Sequence, residues 1–129
     1  MDYFDYLNRT TDDIETLLER SQEREEQRIE NELERVNKEL KSREQIHEEI
    51  IEDLESKIDW YVERLGLIYK RTRNPSQVEK LKKSLRKFYQ ELREERRENW
   101  RDRENLEESR RELLSELDEL EDGDLTDFL

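Results

Sequence analysis

Two seven-residue apolar repeats, one in each half of the chain, restrict its possible folds more than any other feature. In the first half Leu33, Leu40, His47, Leu54, Tyr61 and Ile68 recur at this interval, with Ile29, Val36 and Ile50 on the neighbouring track. In the second half Val78, Leu85, Leu92, Asn99, Leu106, Leu113 and Leu120 keep the same interval, with Leu81 and Phe88 beside them. A heptad seam is the signature of a helix that buries one narrow stripe against another helix. Each stripe alone would face water, so the two helices need each other.

Composition agrees, though it would suit a disordered chain as well. Of the 129 residues 49% are charged and 30% hydrophobic, with two Gly, one Pro and no Ala, which is too little apolar material for a compact globule. Periodicity decides for helix. The fold class predicted is all-α: a long antiparallel two-helix coiled-coil hairpin with a short N-terminal helical segment, associating into a dimer or small bundle.

The boundaries follow from local signals. An aromatic segment is expected over 1–9, a first long helix over 10–72 capped at Thr10 or Thr11, and a hairpin turn over 73–77. A second helix is expected over 78–121 and a flexible acidic and apolar tail over 122–129, after the stop at Asp122-Gly123. In the turn, either Asn74 caps a helix that has Pro75 in its first turn, or Ser76 and Glu79 form a capping box. A connection this short makes the helices antiparallel.

Folding at the turn places Tyr61 by Leu85, Leu54 by Leu92, His47 by Asn99 and Leu33 by Leu113, one register for the whole seam. A shift of one layer would put His47 beside Asp102 instead. Either way a polar layer of His47 with Asn99 or Asp102 interrupts the seam, as do Arg43 and Lys57. Such layers set register at some cost in stability.

Beyond the expected reach of the second helix, opposite residues 26–29, Tyr3, Phe4, Tyr6 and Leu7 form an aromatic cluster, and Ile14, Leu17 and Leu18 an apolar helical face. This end either folds back on the hairpin or associates with a second copy, the commoner solution for a thin hairpin with an apolar end. We assign homo-oligomerisation to it.

Charge is unevenly placed. The formal net charge is -13, yet residues 69–87 hold eight Lys or Arg and one Glu. Lys70, Arg71 and Arg73 fall at the predicted tip, and Lys80, Lys82, Lys83, Arg86 and Lys87 on the first turns of the returning helix. Tyr69, Phe88 and Tyr89 lie among them. The patch suits an anionic partner: phosphates, bound in a strongly salt-dependent way, or acidic residues of the facing helix, another copy or another protein.

The tail ends in Leu125, Phe128 and Leu129 after a helix stop. That spacing resembles the peptide by which many archaeal and eukaryotic replication and repair proteins plug into a pocket of the sliding clamp, with Asp122 standing where that motif carries Gln. The resemblance covers about eight residues and implies a clamp as partner; packing against Tyr3, Phe4 and Leu7 is the other use for such a tail.

No catalytic, cofactor or metal site is expected. There is no Cys and one His, so a closed zinc site lacks ligands. Adjacent carboxylates such as Glu48-Glu49 sit on solvated faces, whereas acid-base chemistry needs a pocket that separates their pKa values. The N-terminus has no basic region followed by an apolar run, and no window approaches 18 apolar residues, so a soluble cytoplasmic protein without a membrane partner is expected. The function read from the sequence is that of a non-enzymatic interaction or assembly protein. The alternatives are a nucleic-acid-associated accessory factor acting through residues 70–87, and a self-assembling scaffold.

Overall fold

A computed structural model describes the chain over residues 3–71 and 74–122, with side chains from residue 13 onward. Helix α1 spans Tyr3–Arg71 and helix α2 spans Pro75–Asp122. Among the described residues only Asn74 is not helical, so the all-α, two-helix fold is the one the repeats require. No described helix is long and apolar enough to cross a membrane.

The ends of the helices differ from the expected boundaries. Helix α1 already runs at Tyr3 rather than starting at Thr10, because nothing in residues 3–9 breaks a helix and a Thr cap contributes only about 1 kcal/mol. Helix α2 starts at Pro75 rather than 78. Asn74 is its cap: the Asn74 carboxamide oxygen accepts from the Ser76 backbone N–H at 3.1 Å, and its carbonyl from the Val78 N–H at 3.1 Å. Pro75 then occupies the first helical position, where its missing N–H costs nothing. The capping-box alternative at Ser76 is not the one adopted.

The chain divides into two compact units, residues 1–38 with 107–129 and residues 39–106. In the first, Ile29 and Val36 are each 1% exposed, so both are fully desolvated, while Leu33, Leu113, Leu117 and Leu120 are half-buried. Pairing of the helices reaches further than residues 26–29, since the Gln22 side chain donates to the Leu120 carbonyl at 3.0 Å. An exposed ion pair, Arg28 to Glu116 at 3.4 Å, crosses between the helices here. The Arg28 guanidinium is held above its ordinary pKa, first by its hydrogen bond with Glu25.

In the second unit Leu54, Ile58, Leu85 and Leu92 form the core, and Ile51, Tyr61, Leu65 and Phe88 pack against it. The rings of Tyr61 and Phe88 meet edge to face at 5.2 Å against this core. The seam of α1 changes phase in this unit. Ile50, assigned to the seam by strict heptads, is 36% exposed and Ile51 takes its place. The inward positions therefore run 40, 43, 47, 51, 54, in steps of 3, 4, 4 and 3. An eleven-residue step of this kind follows a straight helix more closely than a heptad and locally relaxes the left-handed supercoil. His47 sits at the step.

Candidate functional site

The phase change brings a polar layer into the second unit. Arg43 and His47 approach from α1, and Glu95, Asn99 and Asp102 from α2. The Arg43 guanidinium donates to Glu95 at 2.8 Å and to Asp102 at 2.9 Å. His47 Nδ1 lies 3.1 Å from the same Glu95 oxygen, and because a carboxylate only accepts, that ring nitrogen carries the proton. The side chains of Arg43 and Glu95 are 15% and 10% exposed, so this pair is largely removed from water, whereas the Asp102 side chain is 52% exposed.

Burial is the largest influence on the Arg43 pKa and works to lower it, but hydrogen bonds and charge attraction from Glu95 and then Asp102 raise it above the ordinary value. Arg43 is therefore a fixed cation at any accessible pH. Asn99 is buried, and its carboxamide oxygen has no hydrogen-bond partner among the described residues.

The pairings differ from those expected. His47 meets Glu95 rather than Asn99 or Asp102, and Asp102 is taken by Arg43. Glu95 is the residue that sequence reasoning missed. Its signal lay in the track of Leu81 and Phe88, seven residues apart, whose next member is position 95. The arrangement fixes register, since sliding either helix by a turn would leave two charges buried without partners.

The cations at the turn are placed differently. Lys70 and Arg71 occupy the last turn of α1, where cations complement the partial negative charge of a helix C-terminus. Lys80, Lys83, Arg86 and Lys87 are exposed on α2 and Lys82 is half-buried. Among the described residues none of these seven has an ion-pair partner. Helix α2 has no acidic residue in its first turn, so its positive N-terminal pole adds to the same field. Tyr69 and Tyr89 are 63% and 45% exposed beside it, while Phe88 turns inward. Arg73 lies outside the described residues.

At the other assigned surface Ile14 and Leu17 are 46% and 64% exposed and Leu18 is half-buried. The side chains of Tyr3, Phe4, Tyr6 and Leu7, and the tail residues Leu125, Phe128 and Leu129, lie outside what the structure describes. Among the described residues no group of three or more His, Asp or Glu is placed to hold a metal ion.

The model of one protein family, described as a family of unknown function and designated DUF8104, matches residues 1–129. No curated protein and no solved structure matches the chain.

Proposed function

We propose that this chain, which belongs to the family DUF8104, is a non-enzymatic interaction or assembly protein whose paired helices display a cationic turn to an anionic partner, in the cytoplasm. One observation carries the reading. Seven cations around the turn have no described acidic partner although the chain as a whole is strongly acidic. Like charges gathered at one place repel one another, and a cluster kept without local neutralisation attracts anions from outside. The apolar positions Ile14, Leu17 and Leu18 supply a second contact surface in the other unit, for another copy or another protein.

A nucleic-acid accessory role is the second reading, favoured by the exposed Tyr69 and Tyr89 among the cations, since aromatic rings stack on bases where Lys and Arg meet phosphates. Fluorescently labelled polyglutamate and a labelled single-stranded oligonucleotide separate the two. The first reading expects polyglutamate to bind at low salt and to be released as ionic strength rises. A clear preference for the oligonucleotide, with log affinity falling by about 0.9 per log unit of salt for each phosphate neutralised, would replace it with the second. No binding of either probe at low salt would reject both.

A further inference from the structure

Beyond the turn, the unit of residues 39–106 carries opposite charge on its two flanks. Along one flank of α2, Lys82, Arg86, Tyr89, Arg93, Arg96, Trp100 and Arg103 follow one another at alternating steps of four and three residues, the spacing of a single row down a paired helix. The row contains no acid and is bounded by Glu79 and Glu107 at the same spacing. Trp100 is 67% exposed, the most of any large apolar side chain described, and Tyr89 45%. Arg93 and Arg96, also exposed, have no ion-pair partner among the described residues.

The opposite flank of the same unit is grooved and acidic. One groove of about 430 Å³ lies between Ile50, Asp53 and Lys57 of α1 and Glu91, Glu94 and Glu98 of α2, with Lys57 paired to Asp53 at 3.0 Å and the three glutamates leaving the groove net acidic. A second, also about 430 Å³, lies between Ser42 and Ile46 of α1 and Asn105 and Leu106 of α2. Glu91, Glu98 and Asn105 are seven residues apart, so both grooves open on one side, across α2 from the cationic row. Their centres are about ten residues apart, or about 15 Å at the rise of an α-helix. Tyr89 and Trp100 are eleven residues apart, about 16 Å by the same rise.

We propose that the Lys82–Arg103 row of one copy docks on the grooved flank of a second copy, with Trp100 in the groove of Ser42, Ile46 and Leu106, Tyr89 in the groove of Ile50, Asp53 and Glu94, and Arg93 and Arg96 over Glu49 and Glu98, which line the first groove on its side towards the second. This match of knob spacing to groove spacing and of cation to carboxylate favours a second copy over nucleic acid as the occupant. The contact joins two different surfaces, so each docked copy keeps one free row and one free flank, and assembly is open-ended rather than closed at a dimer. The proposal rests on reading the chain as an assembly protein and names the partner.

The full-length chain tests it by sedimentation velocity. Wild type should grow past dimer with concentration. Arg93→Glu with Arg96→Glu, and separately Glu49→Lys with Glu98→Lys, should each weaken self-association at least about tenfold through like-charge contact while keeping wild-type helicity, since all four positions are exposed. An equimolar mixture of the two double variants should then regain association past dimer, as the intact row of one meets the intact flank of the other and the reversed row meets the reversed flank. Because the chain has no native Cys, Trp100→Cys and Ile46→Cys should cross-link when mixed and neither should cross-link alone. A wild type that stays monomeric at about 100 μM, a mixture that stays unassociated, or Trp100→Cys cross-linking to itself would overturn the proposal. So would Arg93→Glu with Arg96→Glu losing a single-stranded oligonucleotide while self-associating normally. If docking fails by any of these results and Gln substitutions at the turn still abolish polyanion binding, the cationic-turn function stands without it.

Discussion

Replacing Glu95 by Ala should destabilise the protein by about 2–3 kcal/mol. Removing one member of a fully buried ion pair costs about 3–5 kcal/mol, because the remaining charge is left desolvated and uncompensated. The lower figure applies here because the Arg43 side chain keeps 15% of its exposure and a second bond to Asp102. Removing Asp102, whose side chain is half in water, should cost less than about 1 kcal/mol. Replacing Arg43 and Glu95 together by Leu should recover most of what the single change loses, since the cost lies in the orphaned charge rather than in the missing attraction. Urea unfolding of the three variants measures all of this, and a Glu95→Ala loss no greater than that of Asp102→Ala would mean that the polar layer is solvated.

Leu54→Ala and Leu92→Ala should each cost about 2–4 kcal/mol, the usual range for truncating a buried Leu and leaving a cavity. The two residues are 4% and 8% exposed and belong to one core cluster with Ile58 and Leu85. Being neighbours in one cluster, they should combine non-additively. The adjacent pair Ile50 and Ile51 provides an internal control for the phase of the seam. Ile51→Ala should follow the Leu variants, while Ile50→Ala, at a position 36% exposed, should lose clearly less. A larger loss at Ile50 than at Ile51 would restore the strict heptad and remove the eleven-residue step.

Much of the fold could be read from residues spaced by heptads. Leu33, Leu40, Leu54, Val78, Leu85 and Leu92 occupy inward positions as their periodicity requires, and Asn74-Pro75 starts a helix for reasons of cap and ring chemistry alone. The phase change could not be read, because two adjacent isoleucines serve equally well for either track and only packing of the facing helix separates them. Glu95 was hidden for a related reason. A Glu among many others reads as a solvated face until Arg43, 52 positions away in sequence, is brought within 2.8 Å.

The cationic turn was legible because charge needs no partner to be seen in a sequence, and its residues lie together in one unit. The row from Lys82 to Arg103 was less visible, since seven residues spread over about six turns do not form a run. Its sidedness appears only when the inward face of α2 is known. The early start of α1 shows the limit of capping signals: Thr10 and Thr11 offered a cap, but no residue before them forbade helix.

The central claim is that the turn displays its cations to a partner and does not use them to hold the helices together. The direct measurement compares stability and polyglutamate binding for wild type and for the variant with Lys70, Arg71, Lys83 and Lys87 all changed to Gln, none of which lies in the docking row. Gln propagates a helix about as well as Lys or Arg, and exposed charges contribute at most about 1 kcal/mol each to folding. The account predicts an unfolding transition close to that of wild type and an affinity for polyglutamate reduced at least about tenfold. A variant that unfolds, or that binds polyglutamate as wild type does, would contradict it.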